Sequence, residues 1–359
     1  MITGECFGRE YIQQQRERLG SGDLIIIEKS ICALALLGHV AETDLQFIFK
    51  GGTSLLLHLP RIKRLSIDID IMCSATDGEL GSIVDSISSL PPFFWAEEND
   101  RGERGLPARR HFKFFYPSAV TGKEEYVLLD VVQEDDCGLE CIEKLISTEF
   151  IQVEREVNVR VPTVEALLGD KLTAFAPHTL GVPFQTKRGH SMAMQVVKQL
   201  FDVGELFNEV KDLEAVKRAY LESYRLESVY REGNFSTEET LNDTRYAALQ
   251  LCINGTRGTP DQKIVEPMLD GIKRLKNHLV QGQFEPTREV KVAAAKAHLL
   301  ALYLAGTIDL SEDQLAFDMK TRLDFVKEIE ISDPQCLNRL KRTAPEAFYY
   351  LALGLGTVV

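Results

Sequence analysis

Two short stretches, Gly51-Gly52-Thr53-Ser54 and Ser66-Ile67-Asp68-Ile69-Asp70, constrain this chain more than any other feature. A turn of small residues opens an apolar helical run (Leu55, Leu56, Leu57). A short basic loop follows (Arg61, Lys63, Arg64), and then two aspartates stand at i and i+2 among isoleucines. On a β-strand such positions face the same way, so Ser66, Asp68 and Asp70 share one face while Ile67, Ile69 and Ile71 share the core face. A strand backed by apolar residues and carrying carboxylates on its open face is costly unless cations or water occupy that face. Two carboxylates about 7 Å apart at their Cα atoms can hold a pair of divalent cations. The preceding turn offers free backbone N–H groups at a helix N-terminus, a natural seat for phosphate built from Gly51, Gly52, Thr53 and Ser54. A phosphate seat followed by a metal pair forms the front half of a nucleotidyl-transfer site.

The surrounding pattern predicts an α+β fold: a small mixed-sheet domain over residues 1–190 and a mostly α-helical domain over 191–359. Leu24 to Glu42 reads as a helix buried on much of its surface, interrupted by Glu28, Lys29 and Ser30 and therefore a core helix rather than a membrane span. Gln46–Lys50 reads as a strand running into Gly51, and Gly78–Leu90 as a helix ending before Pro91-Pro92. Glu97–Arg110 is polar and Gly-rich and reads as a loop. His111–Tyr116 and Glu125–Val132 read as an antiparallel hairpin about a turn with Pro117 and Gly122, followed by a strand at Asn158–Val161. From Met192 onward the apolar period is helical, with Ser236 and Glu239 forming a capping box and helices over 260–281, 287–305 and 312–331.

Composition narrows the class. The formal net charge of −13 argues against a protein that coats nucleic acid, although a local basic groove is compatible with it. Three basic clusters are present: Arg61/Lys63/Arg64, Arg101/Arg104/Arg109/Arg110/Lys113 and Lys187/Arg188. The middle one flanks Phe112, Phe114 and Phe115, which would suit stacking on a single-stranded nucleic-acid end. Seven scattered cysteines without a C-x-x-C suit a reducing cytosol, and Cys137 and Cys141 read as ordinary thiols. The charged N-terminal segment has no signal-peptide pattern, so the expected location is cytoplasmic, with no membrane partner.

Asp130 stands inside the apolar run Val127-Leu128-Leu129-Asp130-Val131-Val132. A carboxylate there needs a partner, either a metal shared with Asp68 and Asp70 or an arginine. Lys171 and Asp202 lie in amphipathic helices and are unremarkable by pattern alone.

Phe49-Lys50-Gly51-Gly52-Thr53-Ser54-Leu55 with Leu65-Ser66-Ile67-Asp68-Ile69-Asp70 resembles the first motif of the AbiEii-type nucleotidyltransferase toxins. These belong to type IV toxin–antitoxin systems, within the DNA polymerase β-like nucleotidyltransferase superfamily. Leu168-Gly169-Asp170-Lys171-Leu172 and Lys198-Gln199-Leu200-Phe201-Asp202 resemble its later motifs. The resemblance covers roughly residues 25 to 210. It implies transfer of a nucleoside monophosphate from an NTP to an acceptor with release of pyrophosphate, with two Mg²⁺ ions (or Mn²⁺) held by Asp68 and Asp70. On the strand argument above, Asp130 would complete the metal shell or act as base. Lys171 would neutralise the β- and γ-phosphates, and Asp202 would orient Lys171 or the acceptor. Ser66 joins Gly51, Gly52, Thr53, Ser54 and Lys171 in the expected nucleotide site. The implied acceptor is RNA, with the tRNA 3′ end foremost. A protein hydroxyl is the alternative, and a nucleotide-binding regulator without turnover is a third reading. The implied partner is a cognate antitoxin acting without a stable complex.

Overall fold

The computed structural model describes residues 1–20, 22–99, 107–134, 136, 138–231, 235–280 and 284–358. Among the residues singled out from sequence, Arg101, Arg104 and Cys137 lie outside the described residues. The chain divides into two compact units, Met1–Thr163 with Asn277–Gly282, and Val164–Lys276 with Gln283–Val359.

The first unit opens with α1 (Arg9–Arg18) and α2 (Leu24–Ala41), followed by β1 (Ile48–Lys50), α3 (Gly51–Ser54) and β2 (Asp68–Cys73). Then come α4 (Asp77–Ile87), β3 (Trp95–Glu98), β4 (Arg109–Pro117), β5 (Glu124–Gln133), β6 (Cys141–Leu145) and β7 (Asn158–Pro162). Five strands form one mixed sheet in the order β1-β2-β5-β4-β3, and β6 and β7 pair separately. The β2–β5 pair is parallel and its neighbours are antiparallel. One sheet face carries Phe49, Ile69, Ile71, Phe112, Phe114, Leu129 and Val131, all in the core with the apolar residues of α2. Alternation along each strand then delivers Asp68, Asp70 and Asp130 to the other face.

Helix α2 is long and apolar enough to cross a membrane by composition, but it is 72% buried within the protein. Its Glu28 has a structural task. It is 2% exposed and accepts hydrogen bonds from Ser118 Oγ (2.6 Å), Ala119 N (2.6 Å) and Val120 N (3.3 Å), capping the β4–β5 turn. That arrangement satisfies a buried carboxylate without a cation.

One expectation for this unit changes. Part of the 97–110 stretch is ordered as the edge strand β3 and the start of β4. An edge strand pairs on one side only and need not alternate in hydropathy, so the periodicity that betrays a buried strand is missing. The compact unit runs from Met1 to Thr163. Residues 277–280 return to it through Leu65 N to His278 O and Val280 N to Lys63 O, both 2.8 Å.

The second unit contains α5 (Val164–Ala174), α6 (Ala193–Leu206), α7 (Leu213–Tyr230), α8 (Thr237–Ile253) and α9 (Gln262–Leu275). It continues with α10 (Glu289–Leu304), α11 (Met319–Glu328), β8 (Ile329–Ile331), α12 (Leu340–Thr343), α13 (Pro345–Leu355) and β9 (Gly356–Val358). The Ser236–Glu239 capping box is present. The helix expected over 312–331 is shorter, because Ile329–Ile331 pairs as a strand with Gly356–Val358. Helices α5 and α7 approach closely at Gly169, where a Cβ would stand 2.5 Å from the Tyr220 backbone nitrogen.

Candidate active site

The turn between β1 and α3 depends on Gly51. Its φ of +77° is unfavourable for L-residues, and a Cβ there would collide with the Asp70 carboxylate. The backbone of the turn thus lies directly against an acidic side chain of β2. Gly52 is equally crowded: a Cβ would stand 2.9 Å from Arg64 Nη2 and 3.2 Å from Ser66 Oγ. Thr53 and Ser54 are fully buried. Thr53 Oγ1 donates to the Asp68 carbonyl, and Ser54 Oγ donates to the Gly51 carbonyl at 2.8 Å. Both hydroxyls therefore brace the turn from within. What the turn presents is the Gly51–Gly52 backbone, flanked by the Ser66 hydroxyl and the Arg64 guanidinium.

Strand register aligns the acidic residues. Asp70 pairs with Asp130 across the parallel β2–β5 ladder, Lys50 pairs with Asp70 from β1, and His111 pairs with Asp130 from β4. Lys50, Asp70, Asp130 and His111 therefore form one row across four strands on a single face, with Asp68 two residues away on that face. His111 is nearly buried, and its Nδ1–H donates to Asp130 Oδ1 at 2.8 Å. Asp130 thus has His111 as one of its partners. The pairing was invisible in the sequence because cross-strand partners are set by register, and His111 stands at a strand position with no motif around it.

Among the described residues, no three His, Cys, Asp or Glu side chains gather into a ready-made metal site. The donor chemistry of Asp68, Asp70 and Asp130 nevertheless fits a hard divalent cation, which prefers oxygen ligands. One Asp130 oxygen is engaged by His111, and the Asp70 carboxylate lies against Gly51.

Lys171 and Asp202 meet within the helical unit. Lys171 Nζ lies 3.6 Å from Asp202 Oδ2, joining α5 to α6, and the residues are 6% and 1% exposed. Lys171, unremarkable by pattern alone, is therefore a buried ion-pair member with Asp202 as a partner.

The basic and aromatic assignments are redistributed. Phe112 and Phe114 point into the core and present no ring for stacking, because they alternate with His111 and Lys113. Arg110 is engaged by Glu98 through Nε and Nη2 and by Asp77 through Nη1. Its guanidinium holds the Asp77 carboxyl below the ordinary carboxylate range. Arg64 is nearly buried beside Gly52 rather than displayed on a loop, whereas Lys187 and Arg188 are exposed.

Residues 35–295 match the family model described as nucleotidyl transferase AbiEii toxin, type IV TA system. No curated protein matches the chain. Two solved structures from Helicobacter pylori show distant likeness. JHP933 is 14% identical with a TM-score of 0.41, covering 91% of this chain and 100% of that one. A protein provisionally named a nucleotidyltransferase is 15% identical with a TM-score of 0.39, covering 81% of this chain and 96% of its own. Both TM-scores lie below 0.5, so neither likeness bears on the fold or the reaction.

Proposed function

This chain belongs to the AbiEii nucleotidyl transferase toxin family of type IV toxin–antitoxin systems, and from that premise we propose that it moves a nucleoside monophosphate from an NTP to the 3′ end of an RNA, releasing pyrophosphate, with tRNA as the acceptor. The observation that carries this reading is the shared face of Asp68, Asp70 and Asp130 beside the Gly51–Gly52 turn. These carboxylates would hold two Mg²⁺ ions, with Mn²⁺ as a substitute. When bound, such ions lower the pKa of an attacking hydroxyl and offset charge on the leaving oxygen.

The chain's own groups do the positioning. The Gly51 and Gly52 N–H groups receive triphosphate oxygens, and Ser66 and Arg64 add a hydroxyl donor and a positive charge beside Gly52. Glycine at both positions lets the phosphates approach the backbone. His111 holds the Asp130 carboxylate in one orientation. The family resemblance supports Lys171 as the residue that neutralises the β- and γ-phosphates, with Asp202 holding its ammonium. The cognate antitoxin acts without a stable complex, in the cytoplasm.

The test is to incubate the purified chain with Mg²⁺, total RNA and each α-labelled NTP in turn, with Asp70→Asn alongside. Label is expected in a tRNA-sized band with the unmodified chain only, while the melting temperature of Asp70→Asn stays within a few degrees. Label on protein would replace the RNA acceptor with a protein hydroxyl. NTP binding without any transfer would make the chain a regulatory binder, and full activity in Asp70→Asn would sink the site assignment.

A further inference from the structure

The face that carries the carboxylates continues along β4 and β5 into a row of aromatic rings. Stepping back along β5 from Asp130, the residues on this face are Leu128 and Tyr126; along β4 from His111 they are Lys113 and Phe115. Trp95 of β3 completes the row in register with Phe115. The Trp95 and Phe115 rings stack with centroids 4.1 Å apart and planes within 4°, and Tyr126 lies 5.6 Å from Phe115. Phe115 is buried in this stack, while Trp95 and Tyr126 each remain 38% exposed. Two ammonium groups lie over the Tyr126 ring, Lys29 Nζ at 5.0 Å and Lys113 Nζ at 5.4 Å from its centroid. Lys29 is balanced by Glu125 at 2.9 Å and Lys113 by Glu97 at 3.0 Å, and Glu124 accepts from Trp95 Nε1 at 3.4 Å.

We propose that Trp95, Phe115 and Tyr126, with Lys29 and Lys113, form a stacking platform for the unpaired bases of a single-stranded RNA whose terminal hydroxyl lies at the carboxylate row. The identity of this ligand rests on the nucleotidyl-transfer reading above. Three features carry the assignment. Tyr126 precedes Asp130 by four residues on one strand, roughly 13 Å, which a short single strand spans. Partly exposed aromatic rings accept any base, and a sheet face displaying aromatics is a recurrent way to bind single-stranded RNA. The row between platform and carboxylates holds Glu97, Lys113, Leu128 and Asp68, too polar a stretch for an apolar protein partner. The lysines supply cation–π contacts to Tyr126 and can exchange a glutamate for a phosphate. Because each is balanced by a glutamate, affinity comes mainly from stacking and depends only weakly on salt.

Trp95 is the single tryptophan of the chain and reports directly on its own ring face. Titrating the full chain with a short single-stranded oligoribonucleotide of mixed sequence should quench tryptophan emission saturably. The duplex form of that sequence, or an NTP alone, should not. Tyr126→Ala should raise the Kd roughly tenfold, read by anisotropy of the fluorescein-labelled oligonucleotide, and Trp95→Phe should bind nearly as well as the unmodified chain. Oligonucleotide binding without quenching, equal quenching by duplex or by NTP, or no binding at all would each overturn the platform. The transfer assay run in parallel separates the two ideas. RNA labelling with an unchanged KM in Tyr126→Ala removes the platform and leaves the reaction. Saturable quenching without RNA labelling supports the platform and removes the reaction.

Discussion

His111 illustrates how one side chain can govern a site that its own sequence context does not mark. Its Nδ1–H bond to Asp130 orients a carboxylate proposed to face a cation. Groups that orient metal-binding side chains typically contribute 10- to 100-fold to metal affinity. His111→Ala is therefore expected to weaken Mn²⁺ binding by roughly that factor, measured by calorimetric titration without NTP. His111→Asn, which keeps a side-chain N–H near the Nδ1 position, should recover most of it. Equal affinity in all three proteins would make His111 a packing residue only. Gly51 acts at the same scale through its backbone: a positive φ and the adjacent Asp70 carboxylate leave no room for a Cβ.

At the scale of elements, the Lys171–Asp202 pair joins α5 to α6 in a buried setting, so removing one partner takes an opposite charge away from a buried ion. Lys171→Met alone is expected to destabilise the protein by about 3–5 kcal/mol, whereas Lys171→Met with Asp202→Leu should regain most of that loss in urea unfolding. Transfer activity then separates structure from chemistry. A stable double variant without transfer keeps Lys171 as a phosphate-facing group; a stable and active one reduces the pair to a helix clamp. Glu28 shows the complementary case, a buried acid whose partners are a hydroxyl and two backbone N–H groups of a hairpin turn. It holds α2 to the β4–β5 turn without any cation.

For the molecule as a whole, buried histidines couple folding to pH, and two whose pKa is lowered far below the ordinary value lie one in each unit. Burial, reinforced by Lys144, lowers the His58 pKa to about 4, and burial lowers that of His298 to about 4, both from 6.5. Between those values the unfolded chain binds protons that the folded chain refuses. Stability from these groups is fully present above pH 6.5 and is lost as pH falls toward 4, by roughly 3 kcal/mol for each. Thermal melts at pH 7 and pH 4.5 check this. His298→Asn, which preserves a donor toward the Arg245 carbonyl, should lose less stability between those pH values than the unmodified chain. An identical loss in both proteins would show that His298 does not contribute.

The α+β class, the strand carrying Asp68 and Asp70, the antiparallel β4–β5 hairpin and the helical second half were legible because each rests on local periodicity or turn chemistry. A two-residue alternation tells which side chains share a face, and the Gly-Gly turn before an apolar run marks a strand-to-helix junction. The family motif was legible for the same reason, as most of it lies in one continuous stretch. Tertiary structure alone decided that Asp130 meets His111, that Arg64 stands beside Gly52 and that Lys171 is buried against Asp202. It also put Trp95 and Tyr126, rather than Phe112 and Phe114, on the carboxylate face. These depend on strand register and on packing between segments distant in the chain, which local pattern does not encode. The edge strand β3 was hidden because a strand paired on one side has little need for apolar alternation.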